Sequence, residues 1–165
     1  MVPQGRDHHP TDPAIREDAM ITGLTHVNVY VLDQSSAKSF YTEKLGFEVR
    51  FDVTMGEEFE GAGAGFRWLT VGAADQPDLQ LVLSSCDMGR SPEAAEQLRA
   101  LVASGAMGVG VLRTDDCRHS YEELVAKGVT FLSEPVERPY GIEATLRDDS
   151  GNFISLTQPF AYGTG

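Results

Sequence analysis

From Thr25 to Leu32, valines at every second position (Val27, Val29 and Val31) alternate with His26, Asn28 and Tyr30, the pattern of a strand with one buried face. The period then changes. Asp33 or Ser35 caps a helix whose apolar stripe is Ala37, Phe40, Tyr41 and Leu45, and Gly46 stops it in the left-handed conformation. Strand character resumes over Phe47 to Val53 and returns over Phe66 to Val71 and Leu79 to Ser84, with a turn at Asp75, Pro77 and Asp78. This is a βαβββ unit. Ser91 and Pro92 open a further helix carrying Ala95, Leu98, Leu101 and Val102, and Gly105 ends it. The order then repeats: a strand over Met107 to Arg113, a helix capped by Asp115 with Tyr121, Leu124 and Val125, a stop at Gly128, and a strand over Val129 to Leu132. Two last strands, Gly141 to Leu146 and Asn152 to Thr157, flank the turn Asp148-Asp149-Ser150-Gly151.

The repetition holds register. An offset of 82 positions pairs Val27 with Val109, Val29 with Val111, Asp33 with Asp115, Gly46 with Gly128 and Phe47 with Val129. In the last strands the offset is 75, pairing Leu69 with Ala144, Val71 with Leu146, Leu79 with Ile154 and Leu81 with Leu156. A unit of about 60 residues is small to fold alone, so two of them sharing a core form one domain. The expected architecture is α+β: two βαβββ modules forming a curved mixed sheet, a cup, with helices on its convex face. Residues 1–20 read as a leader, 21–90 as module one, 91–105 as a linker helix and 106–160 as module two.

Composition narrows the function classes. Asp and Glu outnumber Lys and Arg by 25 to 13, a net charge of −12 that repels phosphate backbones, so nucleic acid is not an expected partner. No run of about 20 apolar residues offers a membrane span, and the leader, with His8 and His9, lacks the apolar core of a secretory signal. Cys86 and Cys117 have neither CxxC spacing nor a disulfide framework, which suits a reducing, cytoplasmic compartment. Gly61, Gly63 and Gly65 match no phosphate-binding loop and read as a flap over the cup.

The string Thr25-His26-Val27-Asn28-Val29, the helix end Phe40-Tyr41-x-x-x-Leu45-Gly46-Phe47 and the ending Tyr140-Gly141 … Asp148-x-x-Gly151-Asn152-x-Ile154-x-Leu156 resemble the vicinal oxygen chelate superfamily. That superfamily includes glyoxalases, extradiol dioxygenases and bleomycin-binding proteins. The resemblance covers about residues 21 to 160 and implies the fold more specifically than the reaction. In metal-using members, ligands come from the first and last strands of each module. The matching positions here are His26, Gln80, Gly108 and Ser155. A catalytic metal commonly takes three His, Asp, Glu or Cys ligands; this set offers one good donor and one poor one, with glycine and a neutral hydroxyl for the rest. The implied site is incomplete.

Strand parity turns further residues toward the cup. Glu143 is either a general base, its pKa raised by apolar neighbours such as Trp68, or a rim carboxylate hydrogen-bonded to its surroundings. Asn28 and Gln80 would present amide groups, and Tyr30, Phe66 and Trp68 a stacking surface or ordinary filling. On the first strand of module two, Gly108, Gly110 and Leu112 are expected inward, leaving one wall bare for a ligand, with Val109 on the opposite face. The expected function is capture of a small organic ligand or antibiotic without metal or other cofactor, by a homodimer, through His26, Asn28, Tyr30, Trp68, Gln80, Gly108, Gly110 and Ser155. The alternative is a metal-dependent lyase, isomerase or dioxygenase, with Glu143 as the catalytic group; whether the chain is an enzyme stays open.

Overall fold

The computed structural model describes residues 20–56 and 65–161. The leader and the Gly61/Gly63 flap therefore lie outside the described residues, save Met20. Alternation along Thr25 to Leu32 produces β1 (His26–Val31), which buries Val29 and Val31. Asp33 caps α1 (Gln34–Ser39) by accepting the Ser36 amide at 2.7 Å, which satisfies one of the amides a helix start leaves unpaired. The helix runs on as a wide π turn, Phe40–Lys44, that buries Phe40 and Tyr41 and ends at Gly46 with φ +76°. Then come β2 (Glu48–Met55), β3 (Phe66–Gly72) and β4 (Gln80–Ser85).

Ser91 caps α2 (Pro92–Ala103), and Gly105 follows it at φ +76°. Module two comprises β5 (Gly108–Arg113), α3 (Cys117–Ala126), β6 (Phe131–Arg138), β7 (Gly141–Arg147) and β8 (Phe153–Pro159). Asp116, not the expected Asp115, caps α3, accepting the His119 amide at 3.0 Å. The strand expected over Val129 to Leu132 is also corrected: Val129 packs in the core while β6 extends to Arg138, through Pro135. Proline lacks the N–H a ladder needs, and β6 tolerates it as an outer strand with register shifts around it.

The mixed sheet is two four-stranded sheets, one per module, ordered β1-β4-β3-β2 and β5-β8-β7-β6. In each the first strand pairs in parallel with the last, and the other neighbours are antiparallel. One apolar core joins the halves: Val29, Val31, Phe40, Tyr41, Leu69 and Leu83 of module one cluster with Cys117, Leu124, Leu146, Ile154 and Leu156 of module two. That face of each sheet is committed to the core, and the opposite, concave faces carry His26, Asn28, Tyr30, Gln80 and Ser155. No helix among the described residues is long and apolar enough to cross a membrane.

Candidate functional site

On module one, parallel pairing sets His26, Asn28 and Tyr30 beside Gln80, Val82 and Ser84. Antiparallel pairing continues the rows, Val82 to Thr70 to Phe51, with Val53 beside Trp68. This concave face is aromatic and open at its outer strand, where Phe51 is 54% and Val53 48% exposed. The Trp68 ring lies 5.9 Å from His26 and 6.2 Å from Phe66, a continuous band of ring surface. Its buried hydroxyls are satisfied: Thr70 Oγ1 donates to Gln80 Oε1 at 2.6 Å and Ser84 Oγ to Asn28 Oδ1 at 2.9 Å. Each bond fixes an amide by its oxygen. The N–H groups of Asn28 and Gln80 are thereby turned to donors for an incoming acceptor. His26 takes a 3.0 Å hydrogen bond with the adjacent Thr25 hydroxyl.

Module two is built differently. Its first strand bulges between Gly108 and Gly110, where Gly110 sits at φ +137°, a conformation that favours glycine. The extra residue reverses the expected parity: Val111 pairs with Ser155 on the concave face and is 70% exposed, whereas Leu112 pairs with Leu156 and joins the core. The inward assignment of Leu112 is thus corrected, and Val109 does pack toward the core. Gly108 is not bare space, since a Cβ there would lie 2.6 Å from the Phe153 ring. At Gly110 a Cβ would meet nothing within 4 Å. Phe153 also faces Gly108 as Gln80 faces His26, so the register puts Phe153, not Ser155, at the counterpart of Gln80.

Glu143 anchors the polar part of this face. Its Oε1 accepts from Ser155 Oγ at 2.5 Å and its Oε2 from Tyr140 Oη at 2.7 Å, while Arg138 Nε stands 3.6 Å away. Ser155 also contacts Thr157 Oγ1 at 3.1 Å. The Ser155 and Tyr140 hydroxyls, with a smaller contribution from Arg138, outweigh burial and hold the carboxyl below its ordinary value. Of the two readings of Glu143, these bonds match the rim carboxylate hydrogen-bonded to its surroundings, and the shift runs opposite to the raised value of the general-base reading.

The metal that the resemblance implies does not fit these donors. Gly108 has no side chain, Ser155 gives its proton to Glu143, the Gln80 oxygen is taken by Thr70, and His26 remains alone. Among the described residues no group of three or more His, Cys, Asp or Glu could hold an ion. Both cysteines are free and buried, and burial pushes their thiols up.

Among the described residues, surface clefts of about 650, 330 and 200 Å³ touch the edges of these faces, at Val111 and Phe66 for example, and none is lined by His26, Asn28, Trp68, Gln80, Glu143 or Ser155. The concave faces are open surfaces in a single chain. Sequence reading missed Phe51, Val53, Val111 and Phe153. The first two were legible, because they continue the alternation of β2 opposite Trp68; the last two were hidden by the bulge and the register of β8.

Two βαβββ modules that share one core define the architecture of this protein. The family model described as the Glyoxalase/Bleomycin resistance protein/Dioxygenase superfamily matches residues 23–156, and the chain belongs to that superfamily. It is 34% identical over 132 residues to YurT of Bacillus subtilis (strain 168), covering 79% of this chain and 94% of that one. Among solved structures it is similar to UcmS2, at 50% identity and TM-score 0.76, over 84% of this chain and 99% of that chain. It is also similar to TnmS3, an antibiotic binding protein from Streptomyces sp. CB03234, at 30% identity and TM-score 0.66, over 86% of this chain and 99% of that chain.

Proposed function

We propose that this chain captures a small organic molecule or antibiotic non-covalently, without a metal, on its concave sheet faces. The observation that carries this reading is the module-one face, where rings of His26, Trp68 and Phe66 adjoin the amides of Asn28 and Gln80 and the donors for a metal are missing. Such a surface offers stacking plus a few oriented hydrogen bonds, which is how a binding site fixes a largely apolar ligand. The likeness to TnmS3, an antibiotic binding protein, supports the same reading.

Homodimerisation belongs to this proposal. Phe51, Val53, Val111 and Phe153 leave apolar surface in water, and a second copy that set a module-two face over a module-one face would cover it and enclose a ligand. Cytoplasmic action accords with two unpaired, buried thiols, and the acidic charge argues against nucleic acid as partner. The test is metal analysis of untagged protein in which His8 and His9 are alanine. Zinc, nickel and iron are expected well below one equivalent after dialysis. Stoichiometric metal lost in both His26→Ala and Glu143→Ala would replace capture by metal-dependent lyase, isomerase or dioxygenase chemistry. Light scattering at micromolar concentration is expected to give the dimer mass, and a monomer mass would remove that part.

A further inference from the structure

Arg90, between β4 and α2, lays its guanidinium over the Tyr30 ring with its central carbon 4.6 Å from the ring centroid. Tyr30 stands on the same face as His26 and Asn28, beside Ser84. One arm of Arg90 donates to the Met88 carbonyl at 2.8 Å. It has no carboxylate partner among the described residues: of the acids three positions to either side, Asp87 is bonded by Arg99 and Glu93 makes no ion pair with it. A guanidinium stacked on one ring keeps a second planar face and a fan of N–H donors available, and it is weakly hydrated enough to give them to a ligand.

The lack of an ion pair at Arg90 contrasts with the acidity of the chain. The chain carries −12, yet the strand acids that pairing sets on the concave faces are already engaged: Glu48, opposite Gly72, by Arg50 at 2.9 Å, and Glu143 by Ser155, Tyr140 and Arg138. Arg113, opposite Thr157, adds another cation with no ion pair among the described residues. An acidic protein that sets a guanidinium without an ion pair against a ring of its module-one face is suited to an anionic group arriving with a planar ring. The acidic surround also penalises that anion anywhere else on the protein.

We propose that Arg90 determines specificity at the capture site, and that the ligand is a planar aromatic molecule bearing an anionic oxygen, a carboxylate or an ionised phenol, seated on the guanidinium. This rests on the capture reading above. Trp68 is the single tryptophan of the chain, so its fluorescence reports occupancy of this face directly. The probes are anthracene-2-carboxylate, its primary amide and 2-(aminomethyl)anthracene, planar rings whose substituents differ in charge and which absorb where tryptophan emits, titrated against the full chain. The carboxylate is expected to bind about tenfold more tightly than the amine with the amide between, a preference that shrinks in high salt. Arg90→Gln should lower carboxylate affinity about tenfold and amide affinity less than about twofold, at unchanged melting temperature, and Arg90→Lys should retain part of the preference. Equal binding of all three probes, a preference for the amine, or a preference that survives Arg90→Gln would overturn the role of Arg90 and leave capture standing. If none of the probes alters Trp68 fluorescence, capture on this face fails and this inference with it.

Discussion

The two modules meet at two junctions made of equivalent parts, and one is closed while the other is open. In the first, the β7–β8 turn lies against the end of β1. Ser150 Oγ accepts the Leu32 amide at 3.0 Å and Asn152 Nδ2 donates to the Tyr30 carbonyl at 2.9 Å. Beneath them Asp148 accepts from the amides of Ser150, Gly151 and Asn152, from Asn152 Nδ2, and from the Tyr41 hydroxyl. In the second, the β3–β4 turn faces the end of β5; Ala73 stands where Asp148 does after the preceding strand, and Leu79 precedes Gln80 as Asn152 precedes Phe153. That side is a cleft of about 650 Å³ lined by Leu45, Phe47, Ala73, Gln76, Leu112 and Asp115 among others. The turns differ in length, residues 73–79 at the open junction and 148–152 at the closed one. Only where a buried carboxylate gathers its donors did the junction seal.

This contrast is most strongly tested at Asp148. Asp148→Ala strands five buried or half-buried donors and should cost about 3–5 kcal/mol in urea unfolding. A loss below about 1 kcal/mol would mean that the turn is held by apolar packing instead. Asn152→Ala removes a bond to each module and should cost about 2–3 kcal/mol. At the open junction, Leu112→Ala should cost about 2 kcal/mol while Val111→Ala stays within about 0.5 kcal/mol, because the bulge sends the first to the core and the second to the solvent-exposed concave face. The reverse ranking would restore the parity expected without a bulge. Tyr41→Phe should cost about 1–2 kcal/mol, since burial and Asp148 hold its hydroxyl well above the ordinary phenol value and keep it a donor. Asp75→Ala, on the open turn, should change stability by less than about 0.5 kcal/mol.

The smallest effect is in acid. Glu143 is held below its ordinary value by Ser155 and Tyr140, and Asp52 well below its own by hydrogen bonds from Arg67 and Lys38. A depressed carboxylate stabilises fully above its unfolded pKa, about 4 for these groups, and the contribution is lost as pH falls through the lower folded value. Stability should therefore fall below about pH 4, and Glu143→Gln should make the fall shallower. An unchanged slope would remove the Ser155 and Tyr140 bonds from the account of this face.

Local chemistry alone determined much of this protein. Valine alternation gave β1, Asp33 and Gly46 bounded the first helical segment, and the 82-position offset revealed duplication, because caps, stops and pleats depend on residues a few positions apart. Tertiary structure decided the rest. Whether Val111 or Leu112 meets the ligand face depends on a bulge that exists only when β5 pairs with β8. Whether Ser155 or Phe153 answers Gln80 depends on the same register, and the sign of the Glu143 shift depends on hydroxyls brought to it from β8 and from the loop before β7. The motif Asp148-x-x-Gly151-Asn152 was visible in the chain, but its partners, Tyr41 and Tyr30, lie 107 and 122 positions away. Spacing cannot report a bond between groups so distant in sequence, because only packing of the two modules brings them within reach.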